Sequence, residues 1–187
     1  NMKIIAGVDE AGRGALAGPV VAAAVILPDK YDLVGLNDSK KVSPLKRESL
    51  FRQISNQAIS IGVGIVSSDE IDQINILEST FKAMKMSLGK LNPLPDEALI
   101  DGFPLKTQII PNRGIIRGDE TIDVIKAASI IAKVTRDKIM VEYDLQYPLY
   151  GFKNHKGYGT KEHMEMLQLY KPCDLHRKTF KPVSGLL

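Results

Sequence analysis

The chain has 187 residues, 44% of them hydrophobic and 25% charged, and 25 Lys and Arg against 22 acids leave a net charge of +3. That length holds one compact domain with a sizeable core, or one with a short appendage, and the composition is that of a soluble globular protein. No apolar run is long enough to span a bilayer, the single Cys173 excludes an internal disulfide, and the mild positive balance permits a phosphate-bearing partner without demanding one.

In chain order, residues 3–8 read as a strand, and turn chemistry follows at Gly12-Arg13-Gly14. Because the chain runs so directly from its start into that strand, no signal peptide is expected. With one free cysteine, a reducing, cytoplasmic location is the expectation. Residues 18–27 are small, apolar and Val-rich, which fits a fully buried strand. Ser43-Pro44 is a helix start, with Ser as cap and Pro at the first helical position, and the helix should reach about residue 58. Residues 59–66 alternate like a strand, and Gly62 and Gly64 imply a close neighbour on that face.

Residues 69–74 and 75–91 read as two helices, and Asn92-Pro93-Leu94-Pro95 breaks the pattern. Residues 98–101 make a short apolar strand ending in an acid, and 108–110 suit another strand. Asp119 should cap a long helix reaching about residue 143. Its stretch 127–134 is apolar nearly all round, as in a buried helix. A loop rich in Gly, Lys and aromatics follows Pro148, and 160–169 form a last helix that Pro172 ends. The elements predict an α/β domain with a helical C-terminal segment.

Four acids stand beside strongly apolar stretches: Asp9 and Glu10 after the first strand, Asp101 at the end of 98–101, and Asp119 at the long helix. A carboxylate at the edge of a core is costly unless neutralised. A hard divalent cation such as Mg²⁺ or Mn²⁺ does this well, and carboxylates converging from separate elements suit two-metal phosphodiester hydrolysis. Each acid also has an ordinary role open to it: Asp119 as a helix cap, Asp101 as a turn residue before Gly102, Glu10 as a solvated side chain. Asp9 and Glu10 are neighbours on a strand and start out on opposite faces, so sharing one site requires the strand to end or twist there. The Gly12-Arg13-Gly14 turn frees the backbone to approach a ligand, with N–H groups for a phosphate or sugar hydroxyl, or it is a tight turn with an exposed Arg. Lys40 and Lys41 are open to phosphate contact or to solvent. Lys153, His155, Lys156, His176, Arg177 and Lys178 make the C-terminal part locally basic, a candidate duplex-binding surface. His163 reads as structural.

From Gly7-Val8-Asp9-Glu10-Ala11-Gly12-Arg13-Gly14 and residues 16–24, the sequence closely resembles the ribonuclease HII family, a type 2 ribonuclease H. The resemblance continues through Leu36-Asn37-Asp38-Ser39-Lys40-Lys41, Leu99-Ile100-Asp101-Gly102, Gly118-Asp119, residues 127–137, Lys156-Gly157-Tyr158-Gly159-Thr160 and His176-Arg177, in order along nearly the whole chain. One departure is Ala15, where the family usually has Pro after the Gly-Arg-Gly turn; it restores a backbone N–H and loosens the turn.

The resemblance implies a ribonuclease H-like α/β fold: a central mixed β-sheet flanked by helices over residues 1–187, with roughly 145–187 as a helical substrate-binding part. It places catalytic, metal-holding acids at Asp9, Glu10, Asp101 and Asp119, served by Mg²⁺ or Mn²⁺, with two ions during catalysis. It makes Gly12, Arg13 and Gly14 the reader of a ribose 2′-hydroxyl, the group that distinguishes RNA from DNA. Tyr158 would stack on the following deoxyribose, and Lys40 would lie near the nucleic acid. The implied substrate is RNA–DNA hybrid, or duplex DNA carrying a ribonucleotide cut on its 5′ side, leaving 3′-hydroxyl and 5′-phosphate ends. Competing readings are a non-catalytic nucleic-acid-binding module and a DNA-only nuclease or integrase-like enzyme; the retained acids argue against the first, and the Gly-Arg-Gly turn with Tyr158 against the second. No membrane and no obligate protein partner are expected, residues 182–187 carry no clear sliding-clamp docking motif, and a monomer is the default.

Overall fold

The computed structural model describes residues 2–106 and 109–187. Five strands form one sheet: β1 (Ile5–Ala11), β2 (Val20–Ile26), β3 (Ser60–Val66), β4 (Glu97–Asp101) and β5 (Asn112–Ile115), in the order β3-β2-β1-β4-β5. β1 runs antiparallel to β2 and parallel to β4, so the sheet is mixed, with β1 at its centre. β1 extends past the expected boundary, which puts Asp9 and Glu10 inside the strand, each paired to β2 through Ala23 and Ala22. The strand expected at 108–110 partly lies outside the described residues; Ile109 and Ile110 form a bend, and pairing with β4 starts at Asn112.

Every residue of β2 is buried, and alternate side chains serve two cores. Val20, Ala22, Ala24 and Ile26 pack with Met84 and Leu88 of helix α3 (Ile76–Gly89). Ala23 and Val25 pack with Leu50 and Ile54 of α1 (Pro44–Gln57) and with residues 127–134. The α3 side is crowded. A Cβ at Gly62 would meet the Ser87 carbonyl oxygen at 2.0 Å, and one at Gly64 that of Ala83 at 2.0 Å, so glycine at both positions lets helix backbone lie directly on β3. Ser43 caps α1 by accepting the Lys46 N–H at 3.2 Å. A short helix, α2 (Ser68–Ile74), precedes α3, as expected.

The long helix is interrupted. Gly118–Thr121 forms a separate turn, α4, led by Arg117 in the left-handed region, and α5 (Asp123–Gln146) begins after Ile122 turns extended. Asp119 therefore lies within α4 and is not the cap of the long helix. The loop expected after Pro148 contains one more short helix, α6 (Phe152–His155), and α7 (Lys161–Tyr170) is capped by Thr160. These last helices close over residues 16–18. Leu16 N–H donates to Gly157 O and Gly18 N–H to Leu175 O, both at 2.9 Å, and Ala17 packs with Met140, Phe152 and Leu175. No helix among the described residues is long and apolar enough to cross a membrane.

Candidate active site

Strand parity and register bring the acids together. Val8 and Ile100 are paired across β1 and β4, and both face the α3 core. Asp9 and Asp101, the next residues, consequently project to the opposite face, where α4 stands. One carboxylate oxygen from each of Asp9, Asp101 and Asp119 lies within 4.8 Å of the others. The Asp119 N–H donates to Asp101 Oδ1 at 3.1 Å, which locks α4 to the end of β4. Glu10 is outside this triple. It borders a cleft of about 320 Å³ with Gly12, Arg13, Gly14, Lys40 and Tyr158, and its Oε2 is buried without a hydrogen-bond partner.

The electrostatics are those of a cation site. Burial first, then repulsion from Glu10 and Asp101, raises the Asp9 carboxyl well above the ordinary range. Burial likewise raises Glu10 and Asp101. Lys40 supplies a positive charge: its Nζ lies 3.1 Å from Asp119 and 3.2 Å from Asp38. Burial works to lower its affinity for the proton, but those two carboxylates outweigh it and hold the ammonium charged. Lys40, expected near phosphate, thus stands on one of the acids. An all-oxygen donor set, mutually repelling and with one buried oxygen unpartnered, fits a hard divalent cation.

The Gly12-Arg13-Gly14 loop forms part of the wall of the cleft that Glu10 borders. Gly12 has φ +89°, and a Cβ there would overlap Arg136 Nε at 2.0 Å. Its N–H donates to the Tyr158 hydroxyl at 3.1 Å, joining the loop to the C-terminal segment across the chain. The Tyr158 ring lies 5.3 Å from the Arg136 guanidinium and 6.0 Å from Lys133 Nζ. Ser129 donates to Ser39 Oγ at 2.8 Å, tying α5 to the turn that carries Lys40. Ala15, in the place where the family usually has Pro, is fully buried.

The expected basic surface of the C-terminal part is corrected. His155, His176 and Arg177 are buried, and of the six residues only Lys153 and Lys178 are exposed and Lys156 partly so. The three histidines form an interior cluster in which His155 stacks on His163 with centroids 4.2 Å apart. Since a carbonyl oxygen only accepts, His163 carries its proton on Nδ1, facing Tyr158 O at 2.8 Å. His176 Nδ1 accepts the Cys173 N–H, so its proton is on Nε2 and is donated to His163 Nε2 at 2.9 Å. Both rings are neutral in this chain of bonds, and burial pushes each pKa down to about 4. Cys173 is half-buried, and burial raises its thiol, which leaves it unsuited to nucleophilic work.

A testable pH dependence follows from the pair. An unfolded chain takes up these protons near pH 6.5, the folded one only near pH 4. The stabilisation is therefore complete above about pH 6.5 and is lost as pH falls toward 4, costing about 3 kcal/mol for the first proton. Thermal midpoints from pH 7.5 to 4.5 should fall more steeply for the unmodified protein than for His176→Gln. Equal slopes would refute the neutral pair.

Sequence reasoning did not single out Arg136, Ser129 or Lys133 as parts of this site, and it set Arg177 on a basic surface. The one signal the sequence offers is at Arg136, which has no acid three or four residues away to pair with, whereas Arg177 has Asp174 three residues before it.

A mixed sheet whose parallel neighbours β1 and β4 deliver carboxylates to a helix-borne third, beside a glycine-rich loop, defines a nuclease of the ribonuclease H-like class. A family model described as Ribonuclease HII matches residues 6–183. Ribonuclease HII of Acetivibrio thermocellus is 55% identical over 178 residues, covering 95% of this chain and 70% of that protein. Ribonuclease HII of Enterococcus faecalis is 54% identical over 185 residues, covering 99% and 72%. Among solved structures, the ribonuclease H2 of Pyrococcus horikoshii superposes with TM-score 0.79 at 28% identity, covering 99% of this chain and 97% of that one. Ribonuclease HII of Archaeoglobus fulgidus, solved in a complex with PCNA, superposes with TM-score 0.79 at 25% identity over 95% of each chain. The chain belongs to the ribonuclease HII family. It is an endoribonuclease acting on RNA–DNA hybrids, in a family that depends on divalent metal and removes ribonucleotides from DNA.

Proposed function

We propose that the chain, acting as a monomer, cuts on the 5′ side of a ribonucleotide, whether in a hybrid or alone in duplex DNA, and leaves 3′-hydroxyl and 5′-phosphate ends. The observation that carries this is one cleft bordered by Glu10, by Lys40 and by the Gly12–Gly14 loop bonded to the Tyr158 hydroxyl, with the Asp9, Asp101 and Asp119 cluster joined to it through Lys40, whose Nζ donates to Asp119.

Asp9, Glu10, Asp101 and Asp119 would hold Mg²⁺ or Mn²⁺, two ions during catalysis. Bound there, divalent ions would activate water and stabilise the charge that builds on the phosphoryl group. The backbone of Gly12, Arg13 and Gly14 takes the ribose 2′-hydroxyl, and Arg13 pairs with a neighbouring phosphate. Tyr158, fixed by Gly12 and backed by Arg136, presents its ring to the sugar that follows; a flat face there favours deoxyribose. Lys40 steadies Asp119 and turns to phosphate when the acids are neutralised. Residues from about 145 onward carry the duplex, with Lys153 and Lys156 as phosphate contacts.

The test is a DNA duplex bearing one ribonucleotide, incubated with Mg²⁺ or Mn²⁺ and its product ends mapped. A single nick 5′ of the ribonucleotide with a 3′-hydroxyl is the expected result. Equal cleavage of an all-DNA duplex, or a nick on the 3′ side, would overturn it.

A further inference from the structure

Arg177 reaches residues far away in sequence. Its Nη2 donates to the Gly12 carbonyl at 2.6 Å, its Nη1 to the Arg13 carbonyl at 3.0 Å and its Nε to the Gly18 carbonyl at 3.0 Å. The side chain is fully buried and forms no ion pair with a described carboxylate. A buried guanidinium that gives an N–H from each of its three nitrogens to backbone carbonyls is costly, and peptide geometry shows what that cost maintains.

In a trans peptide, C=O and N–H point in opposite directions. Holding the Gly12 and Arg13 carbonyls toward the guanidinium therefore turns the Arg13 and Gly14 N–H groups away from it, to the side of the loop that borders the cleft with Glu10, Lys40 and Tyr158. Neither N–H makes a backbone hydrogen bond among the described residues, whereas the Gly12 N–H is taken by Tyr158. A cation on the carbonyl oxygen also polarises the peptide and strengthens its N–H as a donor. With Ala15 where the family usually has Pro, this grip adds to the constraint that the Gly12–Tyr158 bond places on the loop.

We propose that Arg177 is a positioning residue for sugar recognition: from inside the protein it aims the Arg13 and Gly14 N–H groups at the 2′-hydroxyl, so that the choice of ribose over deoxyribose depends on a side chain that never touches nucleic acid. The inference rests on the reading of the Gly12–Gly14 loop as the sugar reader.

The experiment measures Kd for a duplex with one ribonucleotide and for the same duplex in all-DNA form, in an Asp9→Asn background that stops turnover. Arg177→Lys should cut the preference for the ribonucleotide about tenfold or more, while affinity for all-DNA duplex changes by less than about twofold. Gly14→Ala, where an added Cβ meets nothing within 4 Å, tests the loop itself. Ile54→Ala, in α1 and outside the cleft lining, supplies a core variant of lowered Tm. Preference lost in Gly14→Ala but kept in Arg177→Lys would overturn the role of Arg177 and leave the loop as reader. Preference kept in both would bring down the loop reading, and the inference with it. An equal loss in Ile54→Ala would reduce the effect to stability and also overturn the proposal. Should Arg177→Lys fail to fold, a crystal structure of the unmodified protein with the ribonucleotide duplex decides. The guanidinium still on the Gly12 and Arg13 carbonyls upholds the inference; a guanidinium that has left them refutes it.

Discussion

Asp9→Asn should lower kcat/KM on a ribonucleotide-bearing duplex by at least about a thousandfold, the size expected when several kcal/mol of charge stabilisation at the phosphoryl group is lost. The same substitution should leave the metal-free fold intact and raise its Tm. Asp9 is buried beside Glu10 and Asp101, and its carboxyl is pushed far up by that burial and repulsion, so the ionised form at neutral pH is a burden on the native state. Asparagine keeps the shape and removes the charge. Added Mg²⁺ should then raise the Tm of the unmodified protein and barely move that of the variant. Paired activity assays and melting curves, with and without metal, check both halves. Normal turnover by Asp9→Asn would remove Asp9 from the site.

Arg136→Met should lower stability by about 3 kcal/mol, the direct consequence of leaving carbonyls buried without a donor. Arg136 Nε, Nη1 and Nη2 donate to Pro19 O at 2.8 Å, Lys156 O at 2.7 Å and Ala17 O at 2.9 Å. Methionine fills much of the volume, so the loss reports the hydrogen bonds and not a cavity. For a chain of this size the expected drop in Tm is about 6–12 °C. Because the guanidinium also backs the Tyr158 ring, KM should rise while kcat on saturating substrate changes less. A Tm within about 2 °C of the unmodified protein would show that the three carbonyls find other donors.

The sheet was legible because period and punctuation agreed. The Ala- and Val-rich run of β2, the paired glycines of β3, and the Ser43-Pro44 start of α1 each have one physical reading, and each formed as expected. The acids were legible singly. Their convergence needed the parallel register that sets Asp9 beside Asp101, which no local pattern contains. The same limit explains the break at Ile122. The Asp119 turn is held by its N–H bond to Asp101, a partner eighteen residues back, and propensity alone favours one continuous helix. His155, His176 and Arg177 misled for a related reason, whereas His163 is buried as expected. Charge and polarity read along a chain suggest a surface, but here Arg177 is satisfied by carbonyls of the loop after β1, far away in sequence, and the histidines by one another and by backbone groups a few residues away.

Three imidazoles gathered within a few ångströms have the makings of a zinc or nickel trap, yet this cluster has no ligand to give. His155 Nε2 faces Tyr150 O and its Nδ1 accepts the Gly157 N–H, while His163 and His176 spend their remaining nitrogens on each other and on Tyr158 and Cys173. With every lone pair committed, a borderline-soft ion passing through the protein finds no nitrogen seat there, and the choice of metal is left to the oxygen-lined acids alone.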